Sequence, residues 1–178
     1  MKIILLITIL PLFTLGSLFI SDNVPALDSF EVQRYTGLWY EAARSKNLWF
    51  EKGDHCTATY TDIGNNVIRV ENRGIDNGKV NSIRGKAKPN GSGIPGRLSL
   101  TFDPWYTRII AGRYYIVDTD YDNYSLVVAP PRFFWDRMIG YILTRQRTIP
   151  EEMLEDLVQK LNDLVGIKKE DLYFTDQR

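Results

Sequence analysis

The feature that most constrains the fold is a series of short runs with β-strand character, each ended by turn residues. Eight such runs lie between Leu38 and Gln146, at the spacing of about 8–12 residues that is typical of all-β domains. Within them apolar and polar residues alternate, so that Cys56, Ala58 and Tyr60 would share one face of a strand while threonines occupy the other. Sheets with one buried and one wet face have this pattern. The sequence therefore predicts a mainly antiparallel sheet, with a hairpin turn at Asp76-Asn77-Gly78.

The pattern changes from strand to helix near the C-terminus. Thr148 and Glu151 are spaced as a capping box, with Pro150 in the first turn, and Gly166 suits the C-terminal stop. One apolar stripe is expected to pack on the outside of the sheet: Met153, Leu154, Leu157, Leu161 and Leu164. A short final strand, DLYFTDQ, follows. The predicted fold class is all-β: an eight-stranded antiparallel up-and-down barrel with one C-terminal helix outside and a short last strand. Such a barrel encloses side chains or one small ligand.

The first residues, MKIILLITILPLFTLGS, are typical of a secretory signal. Lys2 supplies the positive start, an apolar run follows, and Thr14 and Gly16 are small residues at the −3 and −1 positions. An uncleaved membrane anchor is the alternative, but proline, threonine and glycine interrupt the run. Ser17 stands where a bacterial lipoprotein would have its cysteine, so we expect no such lipid anchor and a secreted protein. The expected organisation is a signal peptide at 1–16 (with cleavage as late as 21 left open), a polar lead-in at 17–29 and one domain at 30–178.

Composition restricts the function classes. Lys plus Arg and Asp plus Glu are each 22, so the formal net charge is zero, which argues against a dedicated nucleic-acid binder but leaves a local patch open. Cys56 is the single cysteine, so no internal disulfide can form and no cysteine cluster can bind a metal. We expect a buried thiol there, with a reactive or intermolecularly paired thiol as the alternative. No cofactor is predicted, and two sequons, at Asn90 and Asn123, would allow N-glycosylation.

Three motifs resemble those of the lipocalin family. GLWYE, entered through the short helical turn FEVQRYTG, is similar to its Gly-x-Trp motif and contains Gly37 and Trp39. YILTRQRTIP is similar to its third motif and contains Arg145. The second motif is present in DTDYDNYSLVV as Thr119, Asp120 and Tyr121. The motifs occur in the family's order, and the resemblance spans Phe30 to Gln177, nearest to the branch of apolipoprotein D and the bacterial outer-membrane lipocalins.

This resemblance implies a barrel closed at one end and open at the other. Trp39 is expected to plug the narrow end, with Arg145 across its ring as a cation–π partner and Gly37 allowing a close approach. In the second motif, Asp120 is expected to cap backbone N–H groups of the turn. The family likeness also implies a pocket for a small hydrophobic ligand, nearer the open end, lined by Tyr60, Asn72, Phe102, Tyr114 and Tyr141.

Two aromatic loops are expected at the mouth of that barrel. Trp49 and Phe50 correspond to the family's lid over the ligand. A second loop contains Phe133, Phe134 and Trp135. Together with the first loop it would form a docking surface for a membrane or lipoprotein particle. The alternative is that its aromatic residues are buried in the fold. We expect a monomer or a weak dimer.

The family pattern is not complete. Related proteins pair a cysteine at the position of Cys56 with the C-terminal tail, a bridge that this sequence lacks, and Tyr141 replaces a tryptophan, which would widen the pocket. We expect a secreted carrier of a fatty acid, lysophospholipid, sterol-like or bilin-like ligand rather than an enzyme. The alternatives are a lipid- or isoprenoid-modifying enzyme and a membrane-protective stress lipocalin. For catalysis, His55 and Cys56 would point to opposite strand faces, and Glu41 is more simply a solvated or salt-bridged carboxylate.

Overall fold

The computed structural model describes residues 23–48, 52–103, 112–131 and 137–178. The expected signal peptide lies outside these residues, as do the expected lid residues Trp49 and Phe50 and the second aromatic loop. For those parts of the chain the sequence predictions stay predictions.

Within the described residues nine strands form one antiparallel sheet, and eight of them close into a barrel. The strands are β1 (Gly37–Ser45), β2 (Asp54–Asp62), β3 (Ile68–Asp76), β4 (Lys79–Pro89), β5 (Arg97–Asp103), β6 (Gly112–Thr119), β7 (Tyr124–Ala129), β8 (Ile139–Thr144) and β9 (Leu172–Phe174). Each strand from β2 to β8 pairs with its neighbour in sequence, and β1 pairs with both β8 and β2. Closure removes the free edges of the sheet, and the predicted fold class is confirmed.

The predicted faces and the predicted hairpin are both present. Cys56, Ala58 and Tyr60 are buried, whereas Thr59 between them is exposed. The turn between β3 and β4 has two residues with positive φ, Asn77 at 50° and Gly78 at 74°. This geometry suits a two-residue hairpin because its twist matches that of the flanking strands.

Two α-helices accompany the barrel: α1 (Val32–Tyr35) and α2 (Glu151–Val165), the latter followed by one 3-10 turn (Lys169–Asp171). Helix α2 packs outside β6, β7, β8 and β1 through Leu157, Val158 and Leu161. Gly166 ends it in the left-handed conformation, with φ 75°, and donates its N–H to the Asn162 carbonyl, as the sequence predicts.

Two details of the α2 prediction are wrong. The capping box is absent because the helix starts at Glu151, which makes Pro150 the cap residue, and no side chain caps it. Thr148 therefore lies two positions before the cap rather than at it. The buried stripe is also rotated, since successive residues turn by 100°. It includes Val158 and leaves Leu164 at its margin, 36% exposed.

The two ends of the barrel differ. At one end, which we call the floor, α1 and the lead-in segment cross the strand ends, and Leu27 exchanges backbone hydrogen bonds with Gly96 and Ile116. At the other end, the mouth, the connections β1–β2, β5–β6 and β7–β8 each contain residues outside the described ranges. None of the described helices is long and apolar enough to cross a membrane.

The C-terminal segment closes a gap in the barrel wall between β1 and β2. These strands pair directly only from Gly37 to Tyr40, and β9 then takes over beside β1. Gln177 completes the join, because its Nε2 donates to the carbonyl oxygens of Glu41 (3.0 Å) and Cys56 (2.7 Å). Hydrogen bonds thus tie the tail to the Cys56 position, where the family resemblance would imply a disulfide.

Candidate functional site

The floor of the barrel is built on Trp39, which is fully buried. Its indole Nε1 donates to the carbonyl oxygen of Tyr35 at 2.9 Å. The guanidinium of Arg145 lies 3.7 Å from the ring centroid, so the predicted cation–π pair is present. Arg145 also donates to three carbonyl oxygens, those of Arg34, Leu38 and Tyr121. Gly37 has φ 96°, and a Cβ there would lie 3.3 Å from Arg145 Nη1, so a side chain would disturb this arrangement.

The turn between β6 and β7 is organised by Asp120. Its Oδ1 accepts the backbone N–H groups of Asp122, Asn123 and Tyr124 at 2.8–3.1 Å, the capping that the sequence predicts. Thr119 Oγ1 accepts the N–H of Tyr121 at 2.9 Å. The Tyr121 hydroxyl in turn accepts the N–H of Glu31 at 3.1 Å, which joins the turn to the segment before α1.

Replacing Asp120 with alanine is expected to cost about 1–2 kcal/mol of unfolding free energy at neutral pH, because three backbone donors lose a charged acceptor. Burial alone would raise the pKa of Asp120, but hydrogen bonds from the Asn123 side chain and from the three N–H groups outweigh it, so this pKa lies below its usual value. A lowered folded-state pKa gives stability that is complete above the unfolded pKa of about 3.9 and is lost as pH falls through the folded value.

Urea denaturation at neutral pH and at pH of about 3 checks this expectation. The difference between wild type and Asp120→Ala should shrink at the lower pH. The control is Asp122→Ala in the same turn, because Asp122 makes an exposed ion pair with Arg34 and should change stability by no more than about 1 kcal/mol. Equal losses in the two variants would contradict the capping role.

Beside Trp39, the buried Tyr35 and Tyr60 and the partly buried Tyr114 form a hydrogen-bonded chain. The hydroxyls of Tyr60 and Tyr114 are 2.7 Å apart, Tyr114 and Tyr35 are 3.4 Å apart, and Tyr35 reaches Ser125 Oγ at 2.9 Å. Burial raises the pKa of Tyr35 to about 12 and that of Tyr114 well above its usual value. Tyr35 and Tyr114 are therefore neutral at physiological pH.

The structure places the expected pocket residues at two heights. Tyr60 lies opposite Gly37 and Tyr114 opposite Leu98, so this pair is in the floor half of the barrel, lower than the sequence predicts. Higher up, Tyr141 on β8 lies beside Arg44 on β1.

The other two predicted pocket residues lie on β3 and β5. Asn72 shares a face with buried Ala58, and Phe102 lies opposite Gly85. A Cβ on Gly85 would lie 2.3 Å from the Thr101 carbonyl oxygen and 2.8 Å from Phe102 Cδ1, so the glycine makes room for the β5 backbone and for the ring. The inward-facing Leu100, Tyr114 and Tyr141 pack against the core but remain partly accessible. Their accessibility indicates that side chains do not fill the barrel to core density.

Asn72 carries the polar feature of the pocket that most clearly points to a ligand. Its Oδ1 is buried, yet it accepts no hydrogen bond from any residue that the structure describes. A buried acceptor without a donor is costly, so a ligand group or a water molecule is the natural partner.

The sequence predicted a solvated or salt-bridged Glu41 but not a buried one. Glu41 and Arg44 are 4% and 5% exposed, and Arg44 Nη1 lies 2.5 Å from Glu41 Oε1. Thr175 Oγ1 donates to the same carboxylate oxygen at 2.6 Å, and Arg44 Nη2 donates to the Gly53 carbonyl at 2.9 Å. Glu41 is thus salt-bridged, as expected, but it is not solvated. A register shift between Glu41 and Ala43 lets residues three apart meet, and strand periodicity does not reveal such a bulge.

Other candidate sites show fewer features that point to a ligand. A groove of about 430 Å³ opens where β1 ends, lined by Arg44, Ser45, Lys46, Asn47, Leu48, Lys52, Gly53 and Tyr173. None of the described residues predicted for the ligand pocket lines it, so we treat it as separate from the barrel interior. His55 is half-buried at a register shift in β2, next to buried Cys56. Among the described residues, no group of three His, Cys, Asp or Glu side chains could hold a metal ion.

Both sequons lie in turns at the floor end of the barrel. Asn90 follows β4, and its Oδ1 accepts the N–H of Ser92 at 2.9 Å. Asn123 uses its Nδ2, the atom that a glycan would modify, to donate to Asp120 Oδ2 at 2.8 Å. Use of the sequons stays a prediction.

Comparison with known proteins identifies the family. The model of the lipocalin-like domain matches residues 30–177. Apolipoprotein D of Mus musculus is 33% identical over 156 residues, which cover 86% of this chain and 80% of the relative. The outer membrane lipoprotein Blc of Citrobacter freundii is 31% identical over 158 residues, which cover 83% and 84% of the two chains.

The same fold is found in a solved structure. Insecticyanin from the tobacco hornworm Manduca sexta superposes with a TM-score of 0.72 at 18% identity, covering 86% of this chain and 84% of the other. The matched domain, the shared motifs and the closed barrel agree. The chain belongs to the lipocalin family, in the branch of apolipoprotein D and the bacterial outer-membrane lipocalins.

Proposed function

We propose that this protein is secreted and carries a small hydrophobic ligand in its barrel without changing it chemically. The observation that carries the proposal is the buried, unsatisfied Oδ1 of Asn72 among partly accessible inward side chains. Pockets for small ligands combine apolar and aromatic walls with a few polar groups that orient the ligand. The name of one relative, apolipoprotein D, supports lipid as the class of ligand.

The driving force for binding is burial of apolar ligand surface, worth roughly 25 cal/mol per Å² before ordering costs are subtracted. Among the described residues, Leu100, Phe102 and Tyr141 supply the apolar wall of the pocket. The tyrosine hydroxyls at the floor already bond to one another, so Asn72 is the group with capacity to spare. Among fatty acids, lysophospholipids, sterol-like and bilin-like molecules, its acceptor favours those that carry a hydroxyl or N–H donor.

Fluorescence titration tests ligand binding directly. Tryptophan and tyrosine emission should be quenched saturably by at least one member of a panel of fatty acids, lysophospholipids, sterols and bilins. A folded protein whose emission no member quenches would overturn the proposal. Mass spectrometry of lipid extracted from protein purified from its native source would then name the ligand.

Replacing Asn72 with valine is expected to weaken binding of a hydroxylated ligand by about 2- to 12-fold, the worth of one hydrogen bond. Binding of the matched analogue without the hydroxyl should not weaken, because the apolar contacts remain. Folding stability should be unchanged or slightly higher, since a buried amide without a partner is removed. The measurement is a pair of titrations with the two ligands.

The control for that experiment is Thr59→Val on the outer face of β2, which should leave both affinities unchanged. If Asn72→Val lowers the affinity for both ligands equally, Asn72 shapes the pocket without forming a hydrogen bond to the ligand.

Lipocalins are generally binding and transport proteins, and the candidate catalytic groups here support that role. The carboxylate of Glu41 already accepts from Arg44 and Thr175, which leaves it a poor general base. We therefore expect a bound ligand to be recovered intact after prolonged incubation. Conversion of the ligand by wild type but not by Glu41→Gln would instead favour the enzyme alternative.

A further inference from the structure

The zero net charge of the chain hides a strong separation of charge across the barrel. The outer side of β3 and β4 carries five basic residues, which we call the basic face: Arg69, Arg73, Arg84, Lys86 and Lys88. Glu71 is the acidic residue among the outward positions of these two fully described strands, and it pairs with Arg73 at 2.7 Å and Arg84 at 3.3 Å. Its single negative charge is thus shared between two cations, and the basic face keeps a net positive charge.

The neighbours of the basic face cancel only part of its charge. On the outer side of β5, Lys86 stands beside Thr101 and Lys88 beside Ser99, whereas Arg84 stands beside the acidic Asp103. On the other flank, threonines of β2 stand beside Arg69 and Arg73, and Asp54 stands beside Ile75 at the mouth end. The basic face is therefore most positive around Lys86 and Lys88, whose neighbours on β5 are small and neutral.

Helix α2 carries the opposite charge on the opposite side. Its acidic residues are Glu151, Glu152, Glu155, Asp156 and Asp163, against one base, Lys160. The helix covers β7 and β8, and these strands stand across the eight-strand ring from β3 and β4. The protein is thus an electric dipole that turns its basic face toward an anionic surface and its helix away from it.

We propose that the basic face docks this protein onto an anionic phospholipid bilayer. Val80 distinguishes a bilayer from other anionic partners. It lies on the same outer row of β4 as Arg84, Lys86 and Lys88, at the mouth end, and it is 73% exposed. An apolar side chain on the same strand face as cations suits a membrane interface, where anionic headgroups border the acyl chains. This docking also brings the mouth edge to the lipid.

A second copy of the chain is a poorer partner. The acidic helix of one molecule could meet the basic face of the next, but the two patches lie on opposite sides of the barrel. Such a contact is head-to-tail and does not close, so it would generate open chains. A soluble polyanion has no apolar layer to receive Val80.

The experiment is co-sedimentation with vesicles of phosphatidylcholine alone or phosphatidylcholine mixed with phosphatidylserine. Wild type should bind the anionic vesicles and not the neutral ones, and binding should fall as salt rises from about 0.05 M to about 0.5 M, because screening shortens the range of the charges. Each basic residue near an anionic surface strengthens binding roughly fivefold. Lys86→Gln/Lys88→Gln should therefore bind about 25-fold more weakly.

The matched control is Lys168→Gln/Lys169→Gln, which removes the same charge beside the 3-10 turn that follows α2. It should bind within about twofold of wild type, since these residues face away from the bilayer. Val80→Ser should also weaken vesicle binding. Equal binding by the two double variants, or equal binding of wild type to neutral and anionic vesicles, would overturn the proposal.

Two further results would assign the basic face to another partner and would also overturn the proposal that it docks onto a bilayer. One is retention on heparin that depends on Lys86 and Lys88 but not on Val80, without binding to vesicles. The other is concentration-dependent self-association, measured by sedimentation velocity, that Lys86→Gln/Lys88→Gln abolishes. Ligand titration of the variants is independent of these outcomes, because Lys86 and Lys88 point away from the barrel interior.

Discussion

Replacing Trp39 with alanine is expected to lower the unfolding free energy by about 3–5 kcal/mol, the usual cost of truncating a buried tryptophan. The ring is fully buried, its centroid lies 5.2 Å from that of Tyr35, and Arg145 covers it. These neighbours come from α1 and from the residue that follows β8, so we expect little collapse into the space left by the ring. Arg145 would also lose the ring face on which its charge rests.

Denaturant unfolding of the variant and of Leu38→Ala provides the measurement. Leu38 precedes Trp39 in β1 but is 42% exposed, so its truncation should cost far less than that of Trp39. Trp39→Phe should fall between them, because the ring volume is largely kept while the hydrogen bond to Tyr35 is lost. A loss of less than about 1 kcal/mol in Trp39→Ala would show that the floor does not depend on this side chain.

Replacing Arg44 with methionine is expected to have an effect of similar size, about 3–5 kcal/mol, because it leaves the buried carboxylate of Glu41 without a countercharge. The pair also joins β1 to the C-terminal segment, since Thr175 donates to Glu41 and Arg44 lies over the Tyr173 ring at 4.5 Å. The damage should therefore include loosening of β9.

A double-mutant cycle isolates the charge from the packing. Glu41→Leu/Arg44→Met removes both charges and should recover most of the stability lost in Arg44→Met, since apolar pairs often replace buried ion pairs without cost. If the double variant is as unstable as Arg44→Met, the loss arises from packing or from the Gly53 hydrogen bond and the ion-pair account is wrong.

Much of the barrel could be predicted because local signals repeat. Alternation in β2 and β5 identified the inner faces, the Asn77-Gly78 pair identified a hairpin, and Gly166 identified a helix end. Each depends on a few consecutive residues and on the period of one element. The predicted start of α2 was wrong because such a local signal can also mislead. Thr148 and Glu151 match the spacing of a capping box without occupying its positions.

The candidate site was predictable only as a set of residues and not as an arrangement. Alternation and the family resemblance together indicated Tyr60 and Tyr114, but the register between β1 and β2 decides that Tyr60 lies at floor height. The buried pair of Glu41 and Arg44 depends on a bulge, and the join made by Gln177 depends on a tail more than 100 residues away from its partners. Such contacts are set by non-local pairing, which a linear pattern does not encode.

By itself, the sequence determined the class of fold, the order of its elements, the family and the residues of the floor, because side-chain period, turn chemistry and motif order are properties of the linear chain. Only the tertiary structure decided which polar group in the barrel lacks a partner, that Glu41 and Arg44 are buried together, and that a chain of zero net charge separates its charges onto opposite sides. Closing the sheet brings β3 and β4 to face away from α2, and this closure turns charges scattered along the chain into two surfaces of opposite sign.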